Sequence, residues 1–183
     1  MKLIEFDNYE IKVADEAFLI RPIRELFEKD KSKKKEEFFR QLSYLYFMCD
    51  PRSTYQYITD ETTRSLEIKA QEGFDIDWEP SELLKSAMDA YRSHTITTTS
   101  LLLKSMRKGI DNLSKFFENV DLLATDDKGK PLYQVSGFTT ALKQIPELSR
   151  AFFEAEKSLA KEFEDQDSAA RGSREKSMFE DGI

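Results

Sequence analysis

LLLKSMRKGIDNLSKFFENV (101–120) and ALKQIPELSRAFFEAEKSLAKEF (141–163) are the two segments that decide the predicted fold. In both, apolar residues recur every three or four positions: Leu102, Met106, Ile110, Leu113, Phe117 and Val120 in the first, and Leu142, Ile145, Leu148, Phe152, Ala155, Leu159 and Phe163 in the second. This spacing keeps one apolar face of a helix turned toward a partner helix. The sequence therefore predicts a long antiparallel helical hairpin, with arms of about 25 residues and roughly 35–40 Å in length.

The segment DDKGKPLYQV (126–135) lies between the two arms and has the composition of a loop. Asp126 to Gly129 predict a turn, because Asp and Gly are favoured turn residues. Ser136 is the expected N-cap of the second arm. Pro146 is expected to bend that arm within its first third.

A small β-hairpin is predicted at the start of the chain, at about residues 3–13. LIEF and YEIKV alternate apolar and polar residues on either side of Asp7-Asn8, which suits a tight turn. An isolated hairpin is marginal in water. We therefore expect these strands to pack on the helices or to pair with another chain.

Short helices are expected between this hairpin and the long arms. Pro22 suits the first turn of a helix that ends near Phe27. A second helix occupies EEFFRQLSYLYFMC (36–49), whose wide apolar arc predicts burial on more than one side, and Asp50-Pro51 ends it.

Two further helices follow. The first is capped by Thr59 or Asp60 and stops at Gly73. The next begins after Asp77 or Ser81. The threonine-rich stretch 94–100 predicts a break, because β-branched residues lose side-chain freedom in a helix.

The composition supports a mainly α fold: a helical bundle built on the long hairpin, with the small N-terminal β-hairpin. The chain has 183 residues, of which 39% are hydrophobic and 34% charged, and only 6 are Gly and 5 Pro. We expect one helical domain over 1–164. Residues 165–183 are polar and lack periodicity, which predicts a flexible or partner-bound C-terminal tail.

No catalytic, cofactor-binding or metal-binding residues are predicted, and we expect a protein that is not an enzyme. His94 and Cys49 are the only residues of their kinds, so a zinc site built from these ligands within one chain is excluded. No glycine-rich phosphate loop is present. The acids at 75, 77, 79 and 82 surround Trp78, but their spacing differs from that of a calcium loop. They are expected to be solvated or to stabilise a helix start.

The lysine-rich segment KDKSKKK (29–35) is the one candidate for contact with nucleic acid, through Lys31, Lys33, Lys34 and Lys35. A duplex-binding surface usually adds arginines on the same face, and the net charge of the chain is −7. Nucleic acid is therefore an unlikely partner, and a solvated linker is the favoured interpretation. The N-terminus is acidic where a signal peptide would be apolar, and no membrane span is expected.

Paired phenylalanines at 38–39, 116–117 and 152–153 widen the apolar arcs of three predicted helices. Neighbouring residues in a helix point about 100° apart, so each pair covers a broad surface. These arcs are either the core of a single chain or, in part, an interface with another chain.

Three segments together resemble a family: YLYFMCDPRS (44–53), DIDWEPSELLKSAMDAYR (75–92) and DDKGKPLYQVSGFTTALKQIPEL (126–148). They are similar to small helical structural proteins of large tailed phages, including the crAss-like phages of gut Bacteroidota. The resemblance lies in the order of an aromatic helix ending in Asp-Pro, an acidic Trp-Pro helix start and a Gly-Lys-Pro loop, and it brings no catalytic residues.

This resemblance implies a non-enzymatic virion protein made in the host cytoplasm: a multi-copy adaptor of the neck, head–tail connector or tail, arranged as a ring. Its expected partners are other virion proteins and copies of itself, without a cofactor. Such proteins often lend a strand or a tail to a neighbour. The residues expected to bind partners are Tyr9, Ile11 and Val13 of the N-terminal hairpin, and Phe179 and Ile183 of the tail. Two alternatives are a soluble assembly factor absent from the mature particle and a DNA-contacting accessory protein.

Overall fold

The computed structural model of the chain describes residues 3–7 and 10–180, and the side chains among them as far as Asp165. It is mainly helical, with one small antiparallel sheet, as predicted. The elements are β1 (Ile4–Asp7), β2 (Glu10–Val13), α1 (Arg21–Lys29), α2 (Glu36–Cys49), α3 (Glu61–Gln71), α4 (Glu82–Thr95), α5 (Thr98–Asn119) and α6 (Val135–Glu180). Single turns of 3₁₀-helix precede α1 and α3, at Asp15–Leu19 and Thr54–Tyr57.

The N-terminal sheet pairs Ile4 with Val13 and Asp7 with Glu10. Asp7 therefore ends β1, and the prediction that it forms the turn is wrong. Asn8 lies outside the described residues. The apolar side chains of both strands pack against the core, because alternate residues of a strand share one face.

Local chemistry explains where α1, α3 and α4 begin. Pro22 stands in the first turn of α1. The side chain of Asp60 accepts a hydrogen bond of 2.7 Å from the backbone N–H of Thr63 at the start of α3. Ser81 accepts one from Leu84 in the same way at α4. The predicted caps of α3 and α4 and the predicted break between α4 and α5 are confirmed.

The connection between α5 and α6 contains the predicted turn. The side chain of Asp126 accepts hydrogen bonds from the backbone N–H groups of Lys128 and Lys130, and Gly129 has a φ of 75°, which favours glycine. Ser136 is not the N-cap, because α6 already begins at Val135. Pro146 lies inside α6.

The chain divides into two compact units, which we name the body and the arm unit. The body comprises residues 1–98 and 160–183, and the arm unit comprises residues 99–159. Helix α6 runs past the tail boundary predicted at 165. The side chains after Asp165 lie outside the described residues, so the separate tail stays a prediction.

The core of the body is built around α2, whose buried side chains contact neighbouring elements on several sides. The largest fully buried residues of this core are Ile4, Ile23, Phe38, Leu42, Tyr44, Leu45, Ile68, Leu84 and Tyr91. This follows from the wide apolar arc of α2, since a helix that is apolar on most sides is buried. The prediction that the bundle is built on the long hairpin is not confirmed, because this core lies within residues 3–91.

Candidate protein-binding surface

Six apolar side chains lie three positions apart along α5 and α6, and we name them the open seam: Ile110, Leu113 and Phe116 of α5, and Leu142, Ile145 and Leu148 of α6. Each is between 37% and 44% exposed. In a closed helical bundle, residues at such spacing are covered by neighbouring helices. The open seam is therefore an apolar surface that the arm unit itself leaves half uncovered.

Side-chain contacts bring α5 and α6 together on either side of the open seam. Arg107 and Glu156 form an ion pair of 3.0 Å. Farther along α5, the ring centres of Phe117 and Phe138 lie 5.2 Å apart. The order of these contacts reverses between the two helices, as in an antiparallel pair. Between them, however, the tightly closed seam expected from the sequence is not observed.

The arm unit exposes apolar side chains outside the open seam as well. Further exposed apolar side chains in the arm unit are Leu101, Leu102, Leu123, Leu132, Tyr133, Val135 and Phe153. Each pair of phenylalanines has one exposed member, namely Phe39, Phe116 or Phe153. The other member is buried in the body at Phe38 and half-buried in the arm unit at Phe117 and Phe152. Contiguous apolar patches of several hundred Å² are uncommon on monomers and mark interaction sites.

A buried polar network at the end of α2 was not predicted from the sequence. Asp50 is completely buried, and its carboxylate accepts hydrogen bonds of 2.5 Å from the Tyr91 hydroxyl and 2.7 Å from Arg52 Nη2. From the sequence, Asp50 was predicted only to end the helix. The signal that could have revealed the network is an acid and a base two residues apart directly after an apolar helix.

Arg52 connects this carboxylate to other parts of the body. Its Nη2 also donates to the carbonyl of Ile4 at 2.9 Å, and its guanidinium lies over the ring of Phe163. Desolvation disfavours the charged guanidinium, but its bonds to Asp50 outweigh this and raise the pKa of Arg52. Burial, followed by the charge of Asp50, raises the pKa of Tyr91. Each polar group of this network has a structural partner, so we interpret it as a stabilising cluster.

Cys49 is buried, as predicted. Burial raises the pKa of its thiol to about 12, against a smaller opposing effect of Arg92. A thiol of this kind is protonated near neutral pH and is a poor nucleophile. The structure therefore assigns Cys49 to packing.

The lysine-rich segment does not act as one basic cluster. Lys31, Lys33 and Lys34 are exposed. Lys35 is instead part of the fold: its Nζ donates to the carbonyls of Phe27 and Asp30 and lies 4.4 Å from the centre of the Phe27 ring. Only the first three thus present the charge that the sequence analysis proposed for nucleic acid.

The acids around Trp78 are engaged separately. Glu79 forms an ion pair of 2.8 Å with Lys69, which lowers the pKa of Glu79. Glu82 pairs with Lys85. Trp78 packs against Phe74, with ring centres 4.7 Å apart. Asp75 and Asp77 are exposed and Glu82 lies in the first turn of α4, in agreement with the interpretation favoured from the sequence. The ion pair of Glu79 with Lys69 of α3 was not expected.

The predicted partner-binding residues fall into two groups. Ile11 and Val13 lie in β2 with half-buried side chains packed on the core, so only the outer edge of the strand is open to a partner. The side chains of Tyr9, Phe179 and Ile183 lie outside the described residues. His94 is exposed at the end of α4.

Within residues 3–7 and 10–180, no helix is long and apolar enough to cross a membrane. The described side chains include no group of three or more His, Cys, Asp or Glu that could hold a metal ion. No protein-family model matches the chain. Neither a curated protein nor a solved structure matches it.

Proposed function

We propose that the chain is a non-enzymatic structural protein of a tailed-phage virion, a multi-copy adaptor in the neck, head–tail connector or tail. The observation that carries the proposal is the open seam, because a half-covered apolar surface of this extent favours binding to protein. The resemblance of residues 44–53, 75–92 and 126–148 to small phage structural proteins supports the virion setting.

In this proposal the two units have different tasks. The body is held together by a core around α2 and by the Asp50 network, and it sets the geometry of the adaptor. The arm unit binds protein. We propose that its helices α5 and α6 act as an antiparallel hairpin whose apolar seam is covered by a partner. The outer edge of β2 and residues 165–183 are further attachment points on neighbouring subunits.

The test is quantitative mass spectrometry of purified particles of the phage that encodes the chain. A structural component persists in the particle at a fixed number of copies through successive purification steps. Absence from mature particles, with presence in assembly intermediates, would favour the alternative of a soluble assembly factor. A chain found in neither would contradict both.

A DNA-contacting accessory protein is the second candidate, because Lys31, Lys33 and Lys34 are exposed in one loop. It predicts that the triple variant Lys31→Glu, Lys33→Glu, Lys34→Glu weakens binding to duplex DNA and flattens its dependence on salt. Lys35 is left unchanged because its ammonium holds the loop in place. Binding that is the same in the variant would eliminate this candidate.

A further inference from the structure

We propose that the open seam is covered by the arm unit of a second copy of this chain, so that two α5–α6 pairs form a four-helix bundle. This rests on the proposed adaptor function and names the partner of its apolar surface. Four helices with heptad-like apolar stripes enclose a common core, whereas two helices leave their stripes open on the flanks. A two-fold interface presents the same patch from both copies and therefore needs no second kind of surface.

The distribution of charge favours a second copy over a strongly charged partner. The arm unit carries nine Lys and Arg residues against eight Asp and Glu residues. The remainder of the chain carries 19 against 27 and is strongly acidic. Two arm units can therefore approach without like-charge repulsion, while the acidic bodies repel one another. A strongly charged partner would gain no general attraction from a nearly neutral arm unit.

Arg107 and Glu156 form an ion pair that joins α5 to α6 within the arm unit. Lys115 and Asp111 pair with each other at 3.0 Å on the face of α5 turned away from the open seam, since neighbouring residues of a helix point about 100° apart. The open seam itself consists of apolar side chains, so an identical seam is a chemically matching partner.

The open seam supplies about half of the surface that a standard interface needs. Five of its six side chains are Leu or Ile, which are smaller than the aromatic side chains that expose roughly 150–250 Å² each, so six at about two fifths exposure present at most about 400 Å². A standard interface buries about 800 Å² on each partner. The neighbouring Leu102 and Phe153, which are 53% and 61% exposed, add to the apolar area on the arm unit.

The first experiment measures the mass of the full-length chain in solution by light scattering and by sedimentation over a range of concentrations. We expect twice 21.4 kDa, or a multiple of it, for the unaltered chain. The double variant Leu113→Glu, Ile145→Glu places charges in the seam and is expected to reduce the mass to that of one chain. The matched control is Leu19→Glu, Ile76→Glu, because these residues are 81% and 78% exposed and lie in the body. It should keep the mass of the unaltered chain.

A second measurement does not depend on how the seam variant folds. In the otherwise unaltered chain, Leu113→Cys introduces a thiol in the seam while the native Cys49 remains buried. A short bifunctional thiol reagent is expected to join two copies through this position and not through the same substitution at Ile76. A single-chain mass at every concentration without such cross-links, or association that the seam variant leaves intact, would overturn the inference.

The two proposals fail in different ways. A chain that is a monomer in solution, but is found at a fixed copy number in particles, leaves the adaptor function standing and assigns the seam to another virion protein. A dimer closed through the seam that is absent from particles and intermediates keeps this inference and contradicts the adaptor function.

Discussion

The guanidinium of Arg52 lies 4.8 Å from the centre of the Phe163 ring. Phe163 is buried, and the adjacent Glu162 accepts a hydrogen bond of 3.2 Å from the hydroxyl of Thr97. A cation over an aromatic face is worth about 0.5–2 kcal/mol, more when it is shielded from water. Helix α6 enters the body at residue 160. These contacts of Glu162 and Phe163 therefore stabilise its first turn within the body.

These contacts predict different effects for two truncations. A chain ending at Glu164 keeps Phe163 and is expected to unfold at nearly the same temperature as the full chain. A chain ending at Leu159 loses Phe163 and is expected to unfold several degrees lower, because losing a buried Phe side chain costs about 3–5 kcal/mol. Calorimetry measures both. Phe163→Ala in the full chain is the control and should resemble the shorter truncation; an equal fall in both truncations would contradict the assignment.

The Asp50 network predicts large effects from small changes. Asp50→Ala leaves the Arg52 guanidinium largely buried without its carboxylate and is expected to cost about 3–5 kcal/mol of unfolding free energy. Tyr91→Phe removes one hydrogen bond and should cost about 1–2 kcal/mol. Urea unfolding measures both. Asp127→Ala changes an exposed acid and should stay within about 0.5 kcal/mol of the unaltered chain. If Asp50→Ala is as mild as this control, the network does not stabilise the body.

The free energy of unfolding at alkaline pH is expected to depend on Cys49 and Tyr46, two side chains of α2 that are uncharged when buried. Burial raises the pKa of Cys49 from 9.0 to about 12 and that of Tyr46 from 10.0 to about 12. Because the folded pKa values lie above the unfolded ones, their contribution is complete below pH 9 and is lost between about pH 9 and 12. The free energy of unfolding falls by about 1 kcal/mol per pH unit through Cys49, and by less through Tyr46, which is partly screened by solvent.

Urea unfolding at a series of pH values between 8 and 11 tests this. The double variant Cys49→Ala, Tyr46→Phe lacks both titrating groups, so its stability should fall less steeply over this interval than that of the unaltered chain. If the free energy of unfolding falls with pH equally in both chains, other groups determine the loss of stability at alkaline pH.

Local signals in the sequence predicted much of the fold. Asp60, Ser81 and Pro22 act within a single helical turn, so their roles follow from residue type and position. The centre of the core was harder to place. Heptad spacing in α5 and α6 shows that a helix has an apolar face, but not whether that face is covered within the same chain. The apolar residues of α2 are less regularly spaced, yet they form the centre of the core because neighbouring elements of the body cover them.

The Asp50 network could not be predicted in full, since it joins residues far apart in the sequence. Asp50 and Tyr91 are separated by 41 positions, and no local pattern reports which tyrosine a buried acid will meet. The open seam was partly predictable. Five of its residues belong to the predicted stripes, whereas Phe116 was identified only as a member of a phenylalanine pair. The sequence left open whether these residues form a core or an interface, because that distinction depends on exposure in the folded chain.

The final prediction separates two neighbouring lysines. Lys35 has a positive φ of 54°, and its ammonium binds two backbone carbonyls before α2; Lys34 is exposed. Lys35→Ala leaves these carbonyls without their donor and is expected to lower the unfolding free energy by about 1–3 kcal/mol. Lys34→Ala, the matched control, should change it by less than about 0.5 kcal/mol. Urea unfolding measures both variants, and equal effects would show that the Lys35 ammonium does not hold the loop.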